Sequence, residues 1–338
     1  MSETNPNLDK GWGCLDEGDF AGARRLAERE MRDDPVNPEA LLLLAACCRG
    51  EGESEKALVL LEQAAHVDEE WGAPAQWMAE ILAEDLGRPA DALKYAELAL
   101  DRAEEESEFL DAIVLKAGLE IQLGKVKAAQ ATLAELPPVG EVQLPADLSL
   151  DLAYLFLEAD LALEAEKRFH ALADADPKDA EAWYGLGICA EDKNDDAAKR
   201  EAWLRVLALD GEASLQDPHM SEVEMTEVAE QALRELPEAA HRLITNVPIL
   251  VVDLPVRAEI EQGLDPRLLG MFEGTAYSDA GSLGGAPQVT QILLFRKNLE
   301  RMAIDSEDLR EQIRITLLHE TGHFFGMSED DLADVGLD

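Results

Sequence analysis

Leu317-Leu318-His319-Glu320-Thr321-Gly322-His323-Phe324-Phe325-Gly326-Met327-Ser328-Glu329-Asp330-Asp331 sets two imidazoles, a carboxylate and a glycine at fixed intervals. Residues four apart on a helix share a face, so His319 and His323 can reach one metal ion. Glu320 then sits beside the ion and not on it, where a carboxylate can take a proton from a water that the metal acidifies. Gly326 suits the end of such a helix, because glycine adopts the left-handed backbone that stops one. Past it, Glu329, Asp330 or Asp331 can turn back as a third ligand. The spacing H-E-x-x-H-x-x-G points to hydrolysis by a metal-activated water. The plain alternative is a surface helix whose histidines fall four apart, although two of the six histidines of the chain lie in this pentad.

Such side chains need a helix and a scaffold beneath it. Leu309, Ile313, Thr316 and Leu317 fall at helical spacing before the pentad, and Asp305-Ser306-Glu307-Asp308 suits the acidic start of that helix. Upstream, Val247 to Asp253 is short, apolar and β-branched and reads as a strand ended by Pro255, and Val289 to Arg296 reads as a second. Lys297 to Glu300 leave the second strand. Between the two lie a turn-rich segment, Gly263 to Gly274, and a glycine-rich loop, Ser278 to Pro287. Glu222 to Leu243 reads as an amphipathic helix interrupted at Pro237, and Gly211 to His219 as a linker before it.

The first two hundred residues repeat. Gly18-Asp19-Phe20-Ala21-Gly22-Ala23 is echoed from Gly52, Gly87 and Gly124, at spacings of 34, 35 and 37 residues. Weaker echoes follow at Ala159-Asp160-Leu161 and Asn194-Asp195-Asp196. A period in this range predicts a solenoid of helix pairs, with glycine or asparagine at the turn within each pair. Trp183-Tyr184-Gly185-Leu186-Gly187 reproduces W-x-x-L-G, and Pro35 and Pro177 fall where a second helix ends. On these residues the units resemble tetratricopeptide repeats over about residues 5 to 210, with an insertion near Glu141 to Ala146. The resemblance implies a concave face that holds an extended peptide or a partner helix. His66 and His170 lie in helices of the array and are given no role.

The order of strand, Gly263-to-Gly274 segment, strand and H-E-x-x-H-x-x-G helix resembles the small bacterial zincin-like metallopeptidases, over about residues 222 to 338. That resemblance implies a compact α/β domain with a small sheet and a zinc-binding helix. It implies Zn²⁺ on His319 and His323, with Glu320 as general base for peptide-bond hydrolysis. Metzincins place a third ligand three residues after the glycine, which is Glu329 here, with Asp331 as the alternative and Asp330 behind it. Tyr277, Arg267 and His241 are the upstream candidates to steady an oxyanion, and Val289 to Arg296 is the candidate edge for a substrate backbone.

Charge narrows the partners. The chain of 338 residues carries 72 acidic against 29 basic residues, a net charge of −43. Such a field repels phosphate backbones and anionic lipid, so no nucleic acid and no membrane partner is expected, and a basic partner is favoured. A hydrophobic fraction of 47% argues against global disorder. Cys14, Cys47, Cys48 and Cys189 form no C-x-x-C pair and read as reduced thiols. Met1 to Asp16 shows no basic stretch leading into an apolar one, and the apolar tract Ala40 to Cys48 is too short to span a bilayer, so the expected place is cytoplasmic.

The reading is thus an α-helical solenoid (1–210), a linker (211–220) and a small α/β (α+β) zincin-like domain (221–338). It predicts a zinc metallopeptidase whose helical array engages a peptide or protein partner. The alternative is a non-catalytic adaptor or scaffold with a structural or inactive zinc site.

Overall fold

The computed structural model of the chain describes residues 5–139, 144–235, 247–275 and 288–324. It divides into two compact units, Met1–Leu172 and Ala173–Asp338.

The first unit is built of antiparallel helix pairs: α1 (Pro6–Asp16) with α2 (Phe20–Asp33), then α3 (Pro38–Gly50) with α4 (Ser54–Val67). Next come α5 (Ala73–Glu80), which runs into a π-helical turn (Ile81–Asp85), with α6 (Pro89–Asp101), and α7 (Glu106–Gln122) with α8 (Val126–Leu133). The fifth pair is α9 (Ala146–Glu158) with α10 (Ala162–Ala175), and a sixth pair, α11 (Ala180–Asp192) with α12 (Asp196–Glu212), falls within the second unit. The six turns within these pairs hold a residue at positive φ: Gly18 (77°), Gly52 (77°), Gly87 (61°), Gly124 (69°), Asp160 (59°) and Asn194 (55°). That conformation is open to glycine and tolerated by Asn and Asp, which is why the echoed position changes identity but not geometry. Capping fixes the helix starts. The Asn37 side chain accepts from the Ala40 N–H ahead of Pro38, and the Asp179 and Asp195 carboxylates cap α11 and α12 in the same way. Fully buried alanines, among them Ala57, Ala64, Ala92 and Ala96, let the helices approach closely.

In the second unit α13 (Glu222–Glu235) leads to β1 (Ile249–Val252), α14 (Arg257–Glu261), β2 (Gly270–Thr275), β3 (Gln288–Phe295), α15 (Arg296–Met302) and α16 (Ser306–Phe324). The strands form one sheet in the order β1-β3-β2, with β1 parallel and β2 antiparallel to β3. Ile292 and Leu294 of β3 pack with Met225 and Ala229 of α13 and with Leu309, Ile313 and Leu317 of α16, so the sheet is the base on which α16 rests.

Two expectations change. Gly270 to Gly274 is a strand and not a turn, because antiparallel pairing with β3 overrides its glycine-rich composition. The strand from Val289 is central among the described strands, so it offers no free edge. Residues 211–220, expected as a linker, bond at both ends to side chains of α15. The Lys297 ammonium donates to the carbonyls of Asp210, Gly211 and Ala213, and the Glu300 carboxylate accepts from the His219 and Met220 N–H groups. The part of the expected insertion at 140–143, the bend at Pro237 and the loop from Ser278 lie outside the described residues.

Candidate metal centre

Helix α16 begins where an aspartate can cap it. Asp305 Oδ1 accepts from the Glu307 and Asp308 N–H groups at 2.8 and 2.9 Å, and Asp308 answers by accepting from the Ile304 N–H. The amides of Asp308 and Glu307 hold the Asp305 carboxyl below the usual carboxylate range. From there the helix buries Leu309, Ile313, Thr316 and Leu317, and Thr321 donates its hydroxyl back to the Leu317 carbonyl.

Thr316 meets the sheet at a close crossing. A Cβ on Gly270, the first residue of β2, would lie 2.8 Å from Thr316 Cγ2 and 3.0 Å from the Leu293 carbonyl oxygen. Only a glycine lets β2 pass so near to α16. His319, Glu320 and His323 follow Thr316 by three, four and seven residues, and so lie along the side of α16 that faces β2.

The two imidazoles converge. His319 Nε2 and His323 Nε2 stand 2.8 Å apart, with ring centroids at 4.5 Å and ring planes inclined by 79°. Two nitrogens on one tetrahedral zinc, each at about 2.0–2.1 Å, are about 3.3 Å apart, so a small rotation of the rings admits the ion. Neutral imidazole nitrogens are also the donors that zinc prefers. The pair therefore fits a cation on the helix face. Both histidines and Glu320 are half-buried, shielded by the helix packing yet reachable.

Glu329, Asp330 and Asp331 lie outside the described residues, as do Tyr277, His241, Gly326 and Met327. Among the described residues no group of three or more metal-ligating side chains forms.

Arg267, a candidate to steady an oxyanion, is placed otherwise. Its guanidinium donates to Glu181 at 2.6 Å and lies 3.4 Å from Asp210, stacked 4.5 Å over the Tyr184 ring, while Tyr184 donates its hydroxyl to Asp265. Arg301 adds a 2.7 Å pair to the same Asp210. This clasp joins α11 and α12 to the segment before β2, and pairs distant in sequence leave no local motif by which to foresee it. Gly270 was equally hidden, since its only signal is a glycine inside a strand.

Comparison with known families adds to this geometry. Residues 244–337 match the family described as zincin-like metallopeptidase. Residues 15–81 and 150–214 match two tetratricopeptide repeat families. No curated protein matches the chain. Among solved structures, the type IV pilus biogenesis factor PilW is 18% identical, covering 62% of this chain and 97% of its own, with a TM-score of 0.49. PilF of Pseudomonas aeruginosa is 17% identical, covering 61% and 91%, also with a TM-score of 0.49. YrrB, described as a tetratricopeptide protein with an unusual peptide-binding site, is 16% identical, covering 55% and 93%, with a TM-score of 0.46.

Proposed function

From a chain in which tetratricopeptide repeats are joined to a zincin-like metallopeptidase domain, we propose a zinc-dependent peptidase whose repeats recruit its protein substrate or partner. What supports this most is the 2.8 Å convergence of two imidazole nitrogens on a helix whose next residue after the first ligand is a carboxylate. His319 and His323 hold Zn²⁺ in this reading, and Glu329 completes the set, with Asp331 as the alternative. A zinc ion there supplies Lewis acidity, which acidifies a water molecule and polarises a peptide carbonyl. Glu320 takes the proton of the attacking water on its carboxylate and delivers it to the leaving amine nitrogen, so its own charge is restored at the end of each turnover. β2 is the strand along which a substrate backbone would pair, since β3 is central and β2 is the strand that crosses α16 closely. Protons compete with the metal for the imidazole nitrogens, so zinc affinity weakens in mild acid. No described helix is long and apolar enough to cross a membrane, and none of the four cysteines is in a disulfide. We assign the chain to the cytoplasm, a compartment that keeps thiols reduced.

The test is elemental analysis for zinc together with cleavage of a pool of unfolded peptides. Wild type and Glu320→Gln should hold equal zinc, and cleavage should fall by about 10²–10⁴-fold in the variant. His319→Ala should lose the metal. Zinc held by both proteins with neither cutting any peptide would instead make the chain an adaptor.

A further inference from the structure

An open groove in the first unit crosses the first helices of the third, fourth and fifth pairs and has a volume of about 420 Å³. That volume lies in the range of about 300–1,000 Å³ typical of ligand sites. Its floor is aliphatic, with Val114, Leu115 and Leu155 half-buried. Gly118 leaves the floor open, since a Cβ there would meet only Leu155 Cδ2 at 3.8 Å. One wall is the π-helical turn, which contributes Ala83 and Glu84. Turns of this kind interrupt a helix at a cost in backbone geometry and are frequent at functional positions.

The rim is acidic. Glu84, Asp151 and Glu158 border the groove, and no Lys, Arg or His does. Glu84 is paired with Arg49 at 2.5 Å, whereas Asp151 and Glu158 are exposed and form no ion pair among the described residues. Two carboxylates beside an apolar floor match a segment that alternates cationic and aliphatic side chains. A second copy of this chain is a poor occupant, because each copy carries a net charge of −43.

We propose that this groove holds a cationic, aliphatic segment of a partner protein. Aliphatic side chains rest on Val114, Leu115 and Leu155, and Lys or Arg heads meet Asp151 and Glu158. The proposal rests on the recruiting role given to the repeats above and names the chemistry that they select. Exposed pairs of this kind steer and select more than they bind, and salt screens them.

Fluorescence anisotropy on the full-length protein tests it, with a short labelled peptide alternating Lys and Leu. Two controls replace its Lys by Glu or its Leu by Ser. The Lys–Leu peptide should bind about tenfold or more tighter than either control, and its affinity should fall with added salt. The double variant Asp151→Lys/Glu158→Lys, on exposed positions, should weaken binding about tenfold, as should Gly118→Leu, which fills the floor. Wild-type affinity in both variants would overturn the proposal, placing the peptide on the acidic surface at large. Binding of the Glu–Leu peptide that Gly118→Leu blocks would overturn the charge preference while leaving the recruiting role intact. If no peptide binds and both variants cut protein substrates as wild type does, the recruiting role falls too.

Discussion

Asp305 shows how much a single side chain decides at this site, because it sets where the helix that carries His319 and His323 starts. Its carboxylate accepts from the Asp308 and Glu307 amides, and these bonds depress its pKa. A group whose pKa is lower folded than unfolded stabilises fully above its unfolded pKa, and that contribution is lost as the pH falls through the folded one. Asp305→Ala should therefore melt below wild type at neutral pH, and the gap should close in acid, below the ordinary carboxylate range. Thermal melts of both proteins across that range check it, and a gap independent of pH would refute the capping role. At this scale the sequence was informative where chemistry is local. The pentad and the acidic cap could be read from adjacent residues, whereas Arg267 could not. Its partners Asp210 and Glu181 lie 57 and 86 residues away, and only the fold brings them to it.

Among elements, the crossing of β2 over α16 matters most for the site. Gly270 sits where any side chain would strike Thr316 Cγ2, the Leu293 carbonyl or Leu294. The repeats were legible because their turns recur at positions that demand positive φ, and helices of that period have one way to stack. β2 was not, because Gly270 and Gly274 bracket a short run whose strand character comes from pairing with Leu293, Ile292 and Gln291 of β3. The same oversight gave β3 a free edge that belongs to its neighbours. Gly270→Ala should cost about 1–3 kcal/mol through overpacking, read as a lower urea midpoint with unchanged slope. It should also slow peptide cleavage more than it lowers zinc content, because the strand moves while the two imidazoles stay on their own helix. Equal stability would mean that β2 does not cross α16 so closely.

For the molecule as a whole, the division of the chain differs from the division of its repeats. The repeat period runs to about residue 210, yet the second compact unit begins at Ala173 and takes in the sixth helix pair. The reason lies in the contacts between that pair and the α/β region. Asp210, only 6% exposed at its side chain, is paired with both Arg267 and Arg301. Lys297 closes the end of α12 by binding the carbonyls of Asp210 and Gly211 within it and of Ala213 just after it, and Glu300 fixes the backbone at His219 and Met220. Composition made 211–220 resemble a linker because the repeat period is lost there and Gly211, Ser214, Asp217 and Pro218 fall within ten residues, but the charges that hold it lie some eighty residues further on. Limited proteolysis of the full-length protein should therefore spare 211–220 despite that composition. Glu300→Gln should open it, since a buried amide in place of the carboxylate answers two backbone donors more weakly, at a loss of about 1–3 kcal/mol. Cleavage within 211–220 in the wild type as fast as in Glu300→Gln would show that the segment is a free tether, and the sixth pair would then belong with the array.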